Sequence, residues 1–208
     1  MVSIDVMGGS NEIGGNKILV EHKGTRILLD FGMSFNQNSK YFSEFLNPRK
    51  CTAPTDYLEM SLLPDVKGIY REDYLQHMGR PTEERDVDAV FLSHAHADHA
   101  QYIHFLRFDI PVYCTQATNI LLQSLEKTGA GTVSDMTSAC ETFVFYENQK
   151  GTLSRVTNKN SEFVHDRDFH IMEPEKRVQV GSLEIEMLPV DHSLPCACGL
   201  SSIRMKGT

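Results

Sequence analysis

Three short runs near the start of the chain combine apolar and polar positions in a way that predicts the strands of a β-meander. They cover Ser3 to Met7, Lys17 to His22 and Arg26 to Asp30, and Lys23-Gly24 supplies a tight turn between the last two. The connection between the first two runs, GGSNEIGGN, contains four glycines. Such a loop suits backbone that takes unusual torsions or approaches another group closely.

The middle and end of the chain alternate strand and helix patterns. Ala89 to Leu92 is short and wholly apolar, which is typical of a buried strand. Later segments show helical spacing with one apolar face, or the strict alternation of a hairpin. These patterns predict helices over Ala100 to Arg107 and Gln116 to Lys127, and strands over Val112 to Cys114, Arg177 to Val180 and Leu183 to Val190.

Two segments, at about 33–86 and 129–169, lack a clear period, except for a short helical pattern from Glu72 to Met78. We expect them to be irregular insertions. The chain has 208 residues, of which 40% are hydrophobic, so it can bury one compact core. The sequence therefore predicts a single mixed α/β domain over residues 1–208.

The charge and hydropathy of the chain limit the classes of partner that it can bind. The chain has 20 Lys and Arg against 28 Asp and Glu, a formal net charge of −8. That balance argues against nucleic-acid binding through a broad basic surface, but not against a local cleft whose charge comes from metal ions. No apolar stretch approaches the roughly 20 residues of a membrane span, and the first residues lack the pattern of a signal peptide. We expect a cytoplasmic protein without a membrane partner.

Five cysteines are scattered along the chain, an odd number that does not indicate a disulfide framework. A reducing compartment is the simpler interpretation. Cys196 and Cys198 lie near a histidine of interest and have the softness for a metal, but free buried thiols are the commoner case. We leave both out of the predicted site.

The stretch Phe91-Leu92-Ser93-His94-Ala95-His96-Ala97-Asp98-His99 carries the strongest chemical signal. Residues two apart in an extended segment point the same way, so His94 and His96 can reach one metal from the end of the strand. If a helix begins at about Asp98, that residue and His99 lie beside a second metal. Imidazole with carboxylate favours zinc, with manganese or iron as alternatives.

Two further residues can be interpreted either as ordinary structural residues or as part of the site. His192, in PVDHSLP, follows an alternating strand, where a lone histidine is ordinarily a surface or hydrogen-bonded residue. Asp30 ends an apolar strand and is either a turn residue or a carboxylate that orients a metal-binding histidine or water. We favour the functional interpretation of Asp30.

The segments LLDFG, SHAHADHA and VDHS resemble the metallo-β-lactamase superfamily, and GGSNEIGGN with VDHSLP resembles its RNA-processing branch, ribonuclease J and the β-CASP nucleases. The resemblance implies an αββα sandwich with a mixed sheet, helices on one face and two zinc ions. It implies that one metal is bound by His94, His96 and His192 and the other by Asp98 and His99, with Asp30 supporting them and both aspartates serving catalysis.

The resemblance also implies a bridging aspartate and a last histidine, and the family places both further along than Thr208. We therefore expect this chain to be the N-terminal portion of the sandwich, truncated and inactive by itself. An uncovered apolar face would favour self-association into a homo-oligomer. Contacts to RNA would come through parts beyond this chain.

The predicted function is a metal-dependent hydrolase, a phosphodiesterase or ribonuclease that uses metal-activated water on RNA. One alternative keeps the hydrolase but changes the substrate to a small thioester, lactone or cyclic phosphodiester, which suits the acidic charge. Another is a non-catalytic scaffold that has kept the fold. Intact ligand residues argue against the scaffold.

Overall fold

A computed structural model describes residues 1–42, 46, 53–129, 135–156 and 162–205, the last four by backbone alone. Its helices are α1 (Phe35–Tyr41), α2 (Ala53–Glu59), α3 (Glu72–His77), α4 (Ala97–Ala100) and α5 (Gln116–Thr128), and a 3₁₀ turn covers Gln101–Phe105. Cys51 lies outside the described residues. The longest of these helices, α5, has 13 residues, and no helix in the described ranges is long and apolar enough to cross a membrane.

A six-stranded mixed sheet forms the centre of the fold. In spatial order its strands are β1 (Val2–Gly8), β2 (Lys17–His22), β3 (Thr25–Phe31), β4 (Ala89–Phe91), β5 (Val112–Cys114) and β10 (Phe169–Ile171). The first three strands pair antiparallel, and the remaining pairs are parallel. The predicted meander and the next two predicted strands are confirmed.

A second sheet packs against one face of the first. It is antiparallel and consists of β11 (Arg177–Val180), β12 (Leu183–Pro189) and β13 (Cys198–Met205). Alternation along β4 separates two cores. Ala89 and Phe91 pack with Leu183 and other residues between the sheets, whereas Val90 packs on the helical side. The layers are therefore helices, a mixed sheet and a second sheet, which confirms the predicted α/β class.

The segment from 33 to 86 corrects the expectation of an irregular insertion. Its described part contains α1, α2 and α3, and it contributes buried side chains such as Tyr57, Ile69 and Leu75 to the core on the helical side. The short pattern from Glu72 to Met78 predicted α3, which is confirmed. Helices α1 and α2 have seven residues each and span less than two full turns, so they leave almost no periodic signal in the sequence. The segment is part of the helical layer.

The segment from 129 to 169 also has more regular structure than expected. Four three-residue strands form two small antiparallel pairs, β6 (Ser138–Cys140) with β9 (Val164–Asp166) and β7 (Phe145–Glu147) with β8 (Leu153–Arg155). The strand that follows them, β10, joins the main sheet beside β5. Three-residue strands are too short for alternation to be recognised.

Candidate metal centre

The motif residues lie at the carboxyl edge of the main sheet. β4 ends at Phe91, and α4 begins at Ala97 with His96 as its N-cap residue. The predicted helix at Ala100 therefore starts three residues earlier than expected and tightens into the 3₁₀ turn. This earlier start leaves His94 and His96 in the extended link and places Asp98 and His99 in the first turn of α4.

Three imidazoles converge at this edge. His94 Nε2 lies 2.9 Å from His96 Nδ1 and 3.0 Å from His192 Nε2, and one nitrogen from each ring lies within 4.8 Å of the others. The three rings are nearly perpendicular to one another, at 78°, 81° and 90°. We call these residues the histidine triad. Its rings approach through their nitrogen edges, as they would around a shared ion.

Electrostatics favour a neutral imidazole at His94. Burial, and then the charge that protonated His99, His192 or His96 would add, lowers the pKa of His94 to about 3. A neutral imidazole has one N–H and one lone pair, and a lone pair is what a metal requires. Zinc is commonly bound by three imidazole nitrogens with a fourth position left to water. The donor set of the triad therefore fits zinc.

Asp98 and His99 form the neighbouring half of the centre. His99 Nε2 lies 3.6 Å from Asp98 Oδ2, and the His99 ring centroid lies 4.0 Å from that of His94. Burial opposes protonation of His99, but its hydrogen bond to Asp30 and the charges of Asp30 and Asp98 outweigh that effect and raise its pKa. Asp98 and His99 thus lie next to the triad without belonging to it.

Asp30 is buried behind both halves. Its carboxylate accepts hydrogen bonds from the backbone N–H of Ser93 at 2.8 Å, from the Ser93 hydroxyl at 2.8 Å and from His99 Nδ1 at 2.7 Å. Its φ of 56° lies in the left-handed region, which is uncommon for a residue with a side chain. Strained backbone of this kind persists where the surroundings fix it, often at functional sites.

The glycine-rich loop holds the start of α4. The backbone N–H groups of Gly15 and Asn16 donate to the carbonyl of Asp98 at 3.1 and 3.2 Å. A Cβ at Gly14 would overlap the Asp98 side chain, and one at Gly32 would overlap the Asp98 carbonyl. Close approach to Asp98 therefore explains the glycines at both positions, as the sequence indicated for the loop.

Asn16 also contacts the centre through its side chain. Its Nδ2 lies 3.3 Å from Nδ1 and 3.2 Å from Nε2 of His99. Nearly equal distances place the amide over the face of the ring rather than along one lone pair. The contact therefore restrains the ring and leaves its Nε2 lone pair on the Asp98 side.

The loop that carries His192 is anchored at both ends. Val190 N–H donates to the carbonyl of Ala197 at 3.0 Å, and the Thr115 hydroxyl donates to the carbonyl of Cys196 at 3.2 Å. Cys198 then begins β13, where its N–H donates to the Ser93 carbonyl at 3.0 Å. These bonds bring His192 to His94, 98 residues away in the sequence.

The cysteines of this loop stay outside the site. Cys198 is buried, and burial, followed by the charge of Asp30, raises the pKa of its thiol to about 12. The neutral thiol lies 3.2 Å from the Ser93 carbonyl, to which it donates. A metal ligand would have to be the thiolate, so Cys198 serves the fold rather than the centre.

A cavity of about 290 Å³ lies apart from the triad and shares no lining residue with it. The basic and imidazole side chains in its wall are hydrogen-bonded to carboxylates, in the pairs Arg71 with Asp73, Arg107 with Asp109 and His165 with Glu141. Among the buried side-chain nitrogen and oxygen atoms of the described lining residues, these pairs leave only Nη1 of Arg71 without a hydrogen bond. We assign the cavity no ligand.

The structure thus places every predicted site residue at one edge of the sheet. It brings His94, His96 and His192 together, sets Asp98 and His99 beside them, and buries Asp30 behind. Sequence reasoning missed Ser93 and the side chain of Asn16. Adjacency to His94 was the only available signal for Ser93, and Asn16 closes the glycine-rich loop.

Comparison with known proteins identifies the family of the chain. A family model described as a beta-lactamase superfamily domain matches residues 64–204, which include the triad. The chain belongs to the metallo-β-lactamase superfamily. The resemblance on which the predicted fold was based is confirmed.

Curated relatives of this superfamily member come from its RNA-processing branch. The transcription termination factor FttA of Methanocaldococcus jannaschii is 29% identical over 129 residues, which are 61% of this chain and 15% of the relative. Ribonuclease J of Mycobacterium tuberculosis is 30% identical over 122 residues, or 57% of this chain and 17% of the relative. The chain thus spans about a sixth of the length of these relatives.

A solved structure supports the same fold. A crystal structure of a protein of unknown function from Enterococcus faecalis aligns with 96% of this chain and 40% of its own, at 26% identity and a TM-score of 0.62. Nearly the whole of the fold described above therefore has a counterpart in an experimental structure.

Proposed function

We propose that this chain carries the first part of the active site of a zinc-dependent phosphodiesterase that cleaves RNA with water. The histidine triad is the observation that carries the proposal, because three imidazole edges face one another where a strand ends. Relatives named ribonuclease J and FttA support RNA as the substrate class. Manganese or iron remain the alternatives to zinc.

Each group has a role in the proposed centre. The triad would hold one ion, and Asp98 and His99 would hold a second. Zinc held there would supply a bound water with a pKa of about 7, and positive charge that would stabilise a phosphorane-like transition state. Asp30 accepts the N–H of His99 and so directs the Nε2 lone pair of that ring towards Asp98. No protein nucleophile is required.

The surroundings of this activity are part of the proposal. Cys114, Cys140, Cys196 and Cys198 are free thiols, which suits a reducing, cytoplasmic setting. Self-association of the chain stays a prediction, as does inactivity of the 208 residues by themselves. A sedimentation measurement over a range of protein concentrations tests the first.

Labelled RNA tests the activity. The gene product that carries this chain is incubated with 5′-labelled RNA, with and without a chelator, and zinc or manganese is then added back. We expect cleavage that the chelator abolishes and one of the metals restores. The His94→Ala variant should be inactive, whereas His170→Ala should be active because His170 is exposed and paired with Asp168.

A parallel panel separates the competing functions. The net charge of −8 is the observation that favours a small-molecule hydrolase. Thioester, lactone and cyclic phosphodiester substrates are therefore assayed under the same conditions. Turnover of one of these without RNA cleavage would replace the RNA proposal, and RNA binding without any turnover would indicate a scaffold.

A further inference from the structure

The Ser93 hydroxyl lies where the two halves of the centre meet. Its Oγ is 2.8 Å from Asp30 Oδ2, 2.9 Å from His94 Nδ1 and 3.1 Å from His99 Nδ1. The Ser93 backbone is fixed as well, since its N–H donates to Asp30 and its carbonyl accepts from Cys198. The hydroxyl therefore has a defined position among three polar groups.

Donor and acceptor capacities determine the direction of these hydrogen bonds. His94 directs Nε2 towards His96 and His192, so the tautomer that leaves that lone pair free carries its proton on Nδ1. This N–H points at Ser93 Oγ. An ionised carboxylate only accepts, so the Ser93 hydroxyl donates onward to Asp30. The bonds run from His94 through Ser93 to Asp30.

His99 reaches the same carboxylate directly. Its Nδ1 lies 2.7 Å from Asp30 Oδ2, and its N–H therefore occupies that acceptor without an intermediary. In the described ranges, no hydrogen bond joins Asp30 to His94. The hydrogen-bonded route from Asp30 to His94 thus passes through Ser93.

We propose that Ser93 is a positioning residue that relays the Asp30 carboxylate to His94, so that one aspartate sets the tautomer of a ligand in each half of the centre. The inference rests on the proposed metal centre. Groups that orient metal ligands in this way typically change metal affinity about 10–100-fold when they are removed. Through Ser93, the same carboxylate therefore orients a metal ligand in both halves of the centre.

Two substitutions at Ser93 isolate its hydroxyl. Ser93→Ala removes it, and Ser93→Thr keeps it, in the 208-residue chain studied without metal and during zinc titration. Nitrogen-15 NMR of the imidazoles reports each tautomer. We expect His94 to carry its proton on Nδ1 in the wild type and in Ser93→Thr, but to populate both tautomers in Ser93→Ala, while His99 is unchanged.

Zinc titration provides the second readout. Ser93→Ala should bind the triad ion about 10–100-fold more weakly than the wild type, and Ser93→Thr should restore most of that affinity. An unchanged His94 tautomer together with wild-type affinity in Ser93→Ala would overturn the inference. Failure of the wild type to bind any metal would instead refute the proposed function, and the metal-free tautomer comparison would still decide the role of Ser93.

Asp30→Asn gives an independent test if Ser93→Ala does not fold. Asparagine tolerates the left-handed backbone at this position and keeps the shape of the side chain, but it has only one carbonyl acceptor. The relay predicts that Asp30→Asn disturbs the tautomers of both His94 and His99. An Asp30→Asn protein in which only His99 changes would contradict a relay through Ser93.

Discussion

Two groups of buried ionisable side chains in this molecule satisfy their polar atoms in different ways. In the histidine triad, ring nitrogens face one another at about 3 Å. In the arginine cluster, which we define as Arg71, Asp73 and Arg167, all guanidinium nitrogens except Nη1 of Arg71 donate to a carboxylate or a carbonyl.

Shifted pKa values do not distinguish the two groups. Burial lowers the pKa of His94 to about 3, and burial followed by the charge of Arg71 lowers that of Arg167 to about 9. Structural ion-pair networks and functional sites both perturb pKa values. The difference lies in the partners, because the arginine cluster is nearly complete within the fold, whereas the ring nitrogens of the triad converge on one another.

The largest effect is expected at the triad itself. His94→Ala should weaken zinc binding by more than about 100-fold, because it removes a ligand that contacts both other rings. Zinc retained after dialysis measures this. Arg71→Met provides the contrast and should keep wild-type stoichiometry, so zinc loss in Arg71→Met with retention in His94→Ala would reverse the comparison.

The next effect is expected in the arginine cluster. Arg71→Met leaves Asp73 without its bidentate partner in a largely buried position, which should lower the free energy of unfolding by about 3–5 kcal/mol. Urea denaturation measures it. The exposed pair Lys176 with Glu173 is the matched control, and Lys176→Met should change stability by less than about 1 kcal/mol.

A third prediction concerns Lys17, a buried cation below the glycine-rich loop whose Nζ donates to the Gly15 carbonyl at 3.2 Å. Burial, offset in part by Glu12, lowers its pKa to about 8. The unfolded chain therefore binds more protons than the folded one between about pH 8 and 10.4, so this lysine destabilises the fold at neutral pH and less so as pH rises.

Lys17→Met should consequently raise the free energy of unfolding at pH 7 by about 3 kcal/mol. The difference in the free energy of unfolding between variant and wild type should shrink from pH 8 to 10.4. Tyrosines and cysteines titrate in both proteins, so their contribution cancels in this difference. Denaturation at several pH values measures it. A difference that is constant over this range would refute the lowered pKa.

The smallest effect is expected at the glycines. Gly32→Ala forces a methyl group against the Asp98 carbonyl and should lower the free energy of unfolding by about 1–3 kcal/mol. Because it displaces Asp98, it should also weaken binding of the second ion. Gly24→Ala meets no atom within 4 Å but has a φ of 80°, so it should cost about 1 kcal/mol and leave metal binding intact. Calorimetric zinc titration distinguishes the two variants.

Local sequence predicted one part of this site well. Four of the site residues fall within six positions, namely His94, His96, Asp98 and His99. The apolar run before them predicts the strand β4, and the helix α4 begins within the motif itself. Their grouping is therefore a local property. The meander and the hairpin were predicted for the same reason, since alternation along one strand shows which face is buried.

Long-range features were harder to predict. His192 reaches the triad over 98 residues through a loop anchored by Thr115, and only the family resemblance indicated it. The roles of Ser93 and Asn16 depend on distances to Asp30 and His99 that no local pattern encodes. The short helical pattern from Glu72 to Met78 indicated α3, but α2 shows no period, so the place of its Tyr57 in the core emerged only from the fold.

X-ray absorption spectroscopy of the zinc-loaded protein tests the central claim most directly. We predict a shell that includes three imidazole nitrogens at about 2.0–2.1 Å, without sulfur at about 2.3 Å. Selective loss of imidazole scattering in His192→Ala would tie the signal to the triad. Bound zinc surrounded by sulfur, or by water oxygens without imidazole, would contradict the account.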